Sequence, residues 1–254
     1  MKYVCSSCGS EFLKWSGRCS NCGQWGTLEE VDEEVSKENS KVSSSKSPYK
    51  SIIEYRKSTD SKKGAKNRLG TGFKELDRVL GGGLIEGEVV LVSGEPGVGK
   101  STLLLQVALN LSAKKKILYV CGEESPSQLI SRLDRLSVDG GKPENIFVTN
   151  DVIVENIYNL VSEEKFDLVI VDSIQSVTSI TSKGYPGSIS QVRASGSLLT
   201  RLSKVTGIPC VIVGQINKVG DIAGPMILEH IVDCVLYIEG GEFNQYRIIR
   251  GMKN

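Results

Sequence analysis

Residues Gly94 to Thr102, GEPGVGKST, constrain this chain more than any other stretch. They fit the pattern G-x-x-x-x-G-K-[ST] at every fixed position: Gly94, Gly99, Lys100 and Ser101, with Glu95, Pro96, Gly97 and Val98 between them and Thr102 following. An apolar run, Val89 to Val92, enters the loop, and a helical pattern (Leu103, Leu104, Val107, Ala108, Leu111) leaves it. Strand, glycine loop and helix are the context that phosphate binding requires. Glycines let successive backbone N–H groups turn toward an anion, and the helix adds the positive end of its dipole. Lys100 is then placed to reach the β- and γ-phosphates of a nucleotide such as ATP or ADP, and Ser101 to hold Mg2+. A glycine-rich turn before an ordinary helix is the plainer alternative, and it leaves the four fixed positions and both flanks as coincidence.

The 254 residues allow one medium domain with small additions. No apolar run approaches the eighteen or so residues of a membrane span, and the N-terminus lacks a signal-peptide core, so a cytoplasmic protein with no membrane partner is expected. A net charge of +1 neither requires nor forbids nucleic acid, which a local patch would have to hold. Seven cysteines in such a chain read as metal ligands and core thiols.

Four of them form two knuckles, Cys5-x-x-Cys8 and Cys19-x-x-Cys22, each followed by a glycine. That spacing matches a structural Zn2+ site of four thiolates, whose metal supplies the folding energy that so short a segment lacks. A redox pair is the competing reading, and it normally sits on a βαβ pattern. Residues 1–28 are therefore expected to be a zinc ribbon, with Phe12, Trp15 and Trp25 either packing on the knuckles or forming a contact surface. Residues 29–66, acidic and then rich in serine and lysine, read as a flexible linker, part of Tyr49 to Tyr55 docking as a short extended piece. Residues 67–254 read as an α/β core with a mostly parallel sheet.

Within the core, a short amphipathic helix (Phe73, Leu76, Val79, Leu80) precedes the glycine turn Gly81 to Gly83. The strand Ile117 to Cys121 ends in Gly122-Glu123-Glu124-Ser125. Ligands bind at that edge of a parallel sheet, so Glu123 and Glu124 are placed either to polarise a water or to be solvated helix-start acids. Ser125, Pro126 and Gln128 form a capping-box pattern. Ile146 to Val148 reads as a strand and Val152 to Val161 as a helix. Leu168 to Val171 end in Asp172, the second half of a nucleotide site, a strand-end carboxylate that holds magnesium. Two aperiodic loops, Ser176 to Ser190 with Lys183 and Asn217 to Pro225 with Lys218, flank a helix from Gln191 to Val205 that carries Arg193 and Arg201. They are either surface connections or contacts to DNA. The strand Cys210 to Gln215 ends in a polar side chain able to sense a γ-phosphate. A hairpin of CVLYIEG and QYRIIRG closes the chain. His230, among Leu228, Ile231 and Val232, reads as a structural histidine, and Cys121, Cys210 and Cys234 as core hydrophobes.

DRVLGGGL, SGEPGVGKSTLLLQVA, GEES, VDSIQ, GSISQVR and AGPMILEHIVDCVLY, together with the ribbon, resemble the bacterial RadA/Sms DNA repair ATPases, relatives of RecA, in the same order. The resemblance implies a RecA-like P-loop ATPase core, hexameric rings on single-stranded and branched DNA, branch migration and helicase-type activity in DNA recombination, and a possible RecA-type recombinase partner. It implies Glu123 as the base that activates water, with Glu124 the nearby substitute. Lys100 and Gln215 join them in the catalytic set, Asp172 supports the metal, and Lys183, Arg193 and Lys218 face DNA. Family members continue through K-N-R-F-G into a Lon-protease-like C-terminal domain. Only Lys253 and Asn254 of that motif are present, Lys253 being the expected intersubunit nucleotide contact, and Gln215 stands where the family often has histidine. Two other readings stay open: a nucleotide-switched module that recruits a recombinase or helicase through its ribbon, and a RecA-like protein that phosphorylates itself.

Overall fold

The computed structural model describes residues 2–5, 11–31, 52, 68–136, 143–215, 227–240 and 246–254. Cys8, Lys218, the second loop and nearly all of the expected linker lie outside them, as does the extended piece proposed for Tyr49 to Tyr55 apart from Ile52. The chain divides into two compact units, Met1–Gly64 and Ala65–Asn254.

The first unit holds a small antiparallel sheet of order β2-β1-β3, formed by β1 (Lys2–Cys5), β2 (Glu11–Phe12) and β3 (Leu28–Val31). Among the described residues its buried centre is Cys5, Cys19 and Leu28, with Tyr3 and Phe12 packed against them. A centre in which two of the three side chains are cysteines fits a segment that draws folding energy from a metal held by its thiols. Phe12 packs on the cysteines, whereas Trp15 and Trp25 are 62% and 74% exposed. Trp25 lies beneath the Arg18 guanidinium, 5.9 Å from its ring centre.

In the second unit, α1 (Lys74–Val79) leads to β4 (Val89–Gly94), and α2 (Lys100–Ser112) follows the glycine loop. The chain continues through β5 (Ile117–Cys121), α3 (Pro126–Leu136), β6 (Ile146–Thr149), α4 (Val154–Glu163) and β7 (Leu168–Asp172). It ends with α5 (Ile189–Thr206), β8 (Cys210–Val213), β9 (Cys234–Glu239) and β10 (Ile248–Lys253). The seven-stranded sheet has the order β10-β9-β4-β8-β7-β5-β6 and is parallel except at β10.

Alternation along the strands builds two cores. Val90, Val92, Ile117, Tyr119, Ile170, Val211 and Leu236 meet Leu76, Leu104, Leu105, Ala108 and Leu129 of α1, α2 and α3 on one face. Leu91, Leu118, Val120, Val169, Val171, Ile212 and Val235 meet Val154, Ile157, Val192, Leu199 and Leu202 of α4 and α5 on the other. The chain's own helices thus bury both faces of the central strands, as a parallel sheet requires. Cys210 and Cys234 are buried, which pushes both thiols up to about 12, and Cys121, at the other end of the parallel strands, is buried too.

Several sequence expectations are corrected in detail. The hydrogen-bonded ladder of β8 stops at Val213, opposite Val92, so Gln215 lies two residues beyond the strand. The fourth helix begins at Val154 rather than Val152, because Ile153 is its extended N-cap. His230 is exposed, not a packed structural histidine: Leu228 and Val232 on either side are buried while residue 230 points outward from a turn. The capping box is present, with the Ser125 N–H donating to Gln128 Oε1 (2.9 Å) and the Gln128 N–H to Ser125 Oγ (3.3 Å).

The glycine turn before β4 fixes the entry of the core. Arg68 donates to the carbonyls of Leu80 (2.8 Å) and Gly83 (2.9 Å), and Leu69 pairs with Leu84. Gly83 has φ 114°, and a Cβ there would lie 2.7 Å from the Leu69 carbonyl oxygen. Gly83→Ala is therefore expected to cost about 2–3 kcal/mol in urea unfolding. In the same experiment Gly251→Ala, where the nearest atom would be Val79 Cγ1 at 3.5 Å, is expected to change stability by less than about 0.5 kcal/mol.

Candidate functional site

Strand order decides which side chains meet. β4, β5, β7 and β8 run parallel, so their carboxyl ends open on one edge, the place where such sheets bind ligands. Gly94 ends β4 and Asp172 ends β7, while Glu123 and Gln215 follow β5 and β8 by two residues each.

Beyond β4 the loop reaches the N-cap of α2 at Gly99, whose φ of 105° is a left-handed conformation that residues with a Cβ rarely adopt. Lys100 is 6% exposed and donates to the carbonyls of Gly94 and Glu95, both at 2.9 Å. Burial lowers its pKa, and the carboxylates of Asp172 and Glu123 act in the opposite sense. The lysine is thus set in a desolvated niche facing two acids, where an added phosphate anion gains most from it. A cleft of about 410 Å³ opens beside the loop, bordered by Gly97, Gly99, Thr102, Gln106 and Arg247, and Arg247 Nε donates to the Val98 carbonyl at 3.1 Å.

The two glutamates, equivalent on sequence position, part in space. Glu124 is ion-paired with Arg132 of α3. Glu123 instead accepts from the Ser173 hydroxyl and, at both oxygens, from Gln215 Nε2 (2.8 Å each). Asp172 accepts from the Tyr119 hydroxyl at 2.7 Å. Burial, then the neighbouring Asp172 charge and hydrogen bond, hold that phenol well above its ordinary pKa, so it remains a donor. Ser101 opens α2 beside Lys100. A hydroxyl at the helix start and a strand-end carboxylate form a hard oxygen donor set that fits magnesium beside phosphate.

Tyr119, Ser173 and Arg132 were missed in the sequence. Tyr119 is the lone polar side chain in ILYVC, a faint signal for a buried hydroxyl with a partner. Arg132 carried none, since only the turn of α3 brings it back to Glu124. Lys183 and Arg193 are exposed, on the loop after β7 and on α5, while Lys253 Nζ donates to the carbonyls of Glu229 (2.8 Å) and Val232 (2.7 Å) of its own chain.

In the ribbon the sulfurs of Cys5, Cys19 and Cys22 lie within 4.8 Å of one another, with Cys5 and Cys22 3.7 Å apart. Thiolates at the corners of a zinc tetrahedron with Zn–S of about 2.3 Å are about 3.8 Å apart, so these residues fit the metal.

The ATPase family model described as KaiC matches residues 69–253, and the model described as rubredoxin metal binding domain matches residues 3–30. Over 99% of its length the chain is 44% identical to the DNA repair protein RadA of Aquifex aeolicus, and over 100% it is 42% identical to that of Listeria monocytogenes. The Escherichia coli RadA protein is 38% identical over 99% of the chain. The chain spans about half the length of these curated relatives, 54%, 54% and 55% respectively. A KaiC-like protein from Pyrococcus horikoshii superposes with a TM-score of 0.61 at 23% identity, covering 74% of this chain and 89% of that one, a likeness of fold.

Tyr119→Phe tests the carboxylate's support. Removing the hydroxyl is expected to raise the Mg2+ concentration for half-maximal ATP binding about five-fold, a loss of about 1 kcal/mol, while leaving nucleotide affinity in EDTA unchanged. Titration of a fluorescent ATP analogue against both variants reads the difference.

Proposed function

The chain belongs to the KaiC ATPase family, and on that premise we propose that it is a DNA-repair ATPase that hydrolyses ATP at the carboxyl edge of its sheet and couples hydrolysis to single-stranded or branched DNA. The observation that carries this reading is Glu123, held by Ser173 and Gln215 on the same edge as Lys100 and Asp172.

Each side chain has a task set by its position. The loop N–H groups and Lys100 bind the β- and γ-phosphates, the Lys100 ammonium leaving the carbonyls of Gly94 and Glu95 to do so. Ser101 and Asp172 would hold magnesium, which supplies charge neutralisation as the phosphoanhydride breaks. Glu123 takes a proton from water, the water oxygen bonds to the γ-phosphorus, and the bond from that phosphorus to the bridging oxygen breaks, giving ADP and phosphate. Gln215 orients Glu123 through both of its oxygens, and Glu124 remains in its ion pair with Arg132. Gln215 also touches the root of the first loop, since Gln175 Nε2 donates to the Gln215 carbonyl at 3.3 Å. A change at Glu123 can therefore reach the segment carrying Lys183 and Arg193, which is the physical basis for coupling to DNA.

The RadA relatives are named as DNA repair proteins, and the proposal takes the DNA partner from them. A ring of several copies, branch migration, a cytoplasmic location and contacts from Lys218 and Lys253 belong to the same proposal. Among the described residues no helix is long and apolar enough to cross a membrane. A second reading, a module that recruits a recombinase through its ribbon, is favoured by the exposure of Leu13 (81%), Trp15 (62%) and Trp25 (74%).

Steady-state ATP hydrolysis with and without single-stranded DNA, at low and physiological salt, separates the two. The first reading expects stimulation by DNA that weakens as salt rises and is absent in Lys100→Ala. Turnover that ignores DNA at both salts would favour the recruiting module.

A further inference from the structure

Charge is distributed unevenly along this nearly neutral chain. Between Ser173 and Gly220 the sequence contains no Asp or Glu, and its charged residues are Lys183, Arg193, Arg201, Lys204 and Lys218. Lys204 is paired with Asp233, and Lys218 lies outside the described residues. Lys183 sits on the loop that leaves β7, and Arg193 follows in the first turns of α5. The same loop and helix start carry large apolar side chains in solvent: Ile180 is 73% exposed, Tyr185 77% and Ile189 52%.

This loop is held in shape by its own bonds. The buried Gln191 side chain accepts from the Ser179 N–H (2.7 Å) and donates to the carbonyls of Ser179 (3.2 Å) and Ser182 (2.6 Å). Ser190 Oγ donates to the Lys183 carbonyl at 2.8 Å. Glu155, the carboxylate that meets the loop from α4, accepts from Ser179 Oγ and the Ile180 N–H. Tyr185-Pro186-Gly187-Ser188 is a closed turn, with the Ser188 N–H donating to the Tyr185 carbonyl at 3.1 Å and Gly187 at φ 79°. Tyr185 is thus presented in solvent at the first position of a hydrogen-bonded turn, where its ring is open to stacking.

Resting on the DNA reading above, we propose that Tyr185 is a base-stacking platform for single-stranded nucleic acid, with Lys183 and Arg193 contacting phosphates beside it. An aromatic face alone would suit many partners. An acid-free cationic segment around an exposed tyrosine and two exposed isoleucines selects a ligand that offers both negative charge and flat apolar rings, which is the chemistry of an unpaired strand. A duplex hides its rings and would use the cations alone.

The test is fluorescence anisotropy of a labelled oligothymidylate, and of an abasic oligomer of equal length, with the wild-type chain, Tyr185→Ala, Tyr185→Phe and Lys183→Ala across a salt series. Tyr185→Ala is expected to bind oligothymidylate about tenfold more weakly with an unchanged salt slope, and Tyr185→Phe to retain wild-type affinity. Lys183→Ala is expected to reduce the salt slope by about one. The abasic oligomer should bind wild type as weakly as oligothymidylate binds Tyr185→Ala. Equal binding of oligothymidylate by wild type and Tyr185→Ala, or equal binding of the two oligomers by wild type, would overturn the stacking role while leaving the DNA reading in place. Absence of binding by wild type at low salt would overturn both. Self-association lost in Tyr185→Ala with DNA affinity unchanged would assign the surface to a second copy of the chain.

Discussion

Strand β4 is buried along its whole length and on both faces, and the rest of the core follows from that constraint. A strand with no polar face must be covered twice, so the chain returns through helices, and returning through helices makes its neighbours parallel. Parallel neighbours end together. Gly94, Asp172 and the residues just past Cys121 and Val213 are thereby delivered to one edge, although as much as 121 residues of sequence separate Gly94 from Gln215.

At that edge the groups are polarised against each other. Lys100 is desolvated and bonded to two loop carbonyls, while Asp172 and Glu123 stabilise its charge from across the site. Each acid is in turn fixed by neutral donors, Tyr119 for Asp172 and Ser173 with Gln215 for Glu123. Neutral donors hold a carboxylate in place without supplying a counter-charge, which suits the metal-holding and proton-accepting roles proposed for these two acids. Glu124 differs in kind, since its partner Arg132 is a cation that satisfies it within the chain.

Local chemistry was the legible part of the sequence. The phosphate loop, the Ser125–Gln128 capping box and the terminal hairpin are each written within a few residues, and each is present in the structure. The α/β architecture was legible from apolar runs that end in polar residues. What adjacency along the chain could not supply was direction: His230 has apolar neighbours in sequence, but its turn sends Leu228 and Val232 inward and the histidine outward. Nor could periodicity separate Glu123 from Glu124, because that distinction depends on Arg132, Ser173 and Gln215, which come from three other segments.

The mechanism proposed above assigns the activation of water to Glu123, and not to the ion-paired Glu124. Single-turnover hydrolysis of prebound ATP by Glu123→Gln and Glu124→Gln tests it directly, with nucleotide affinity measured alongside. Glu123→Gln is expected to keep its affinity and to slow the chemical step by about 10²–10⁴-fold, whereas Glu124→Gln is expected to stay within a few-fold of wild type. A slow Glu124→Gln beside an active Glu123→Gln would contradict it.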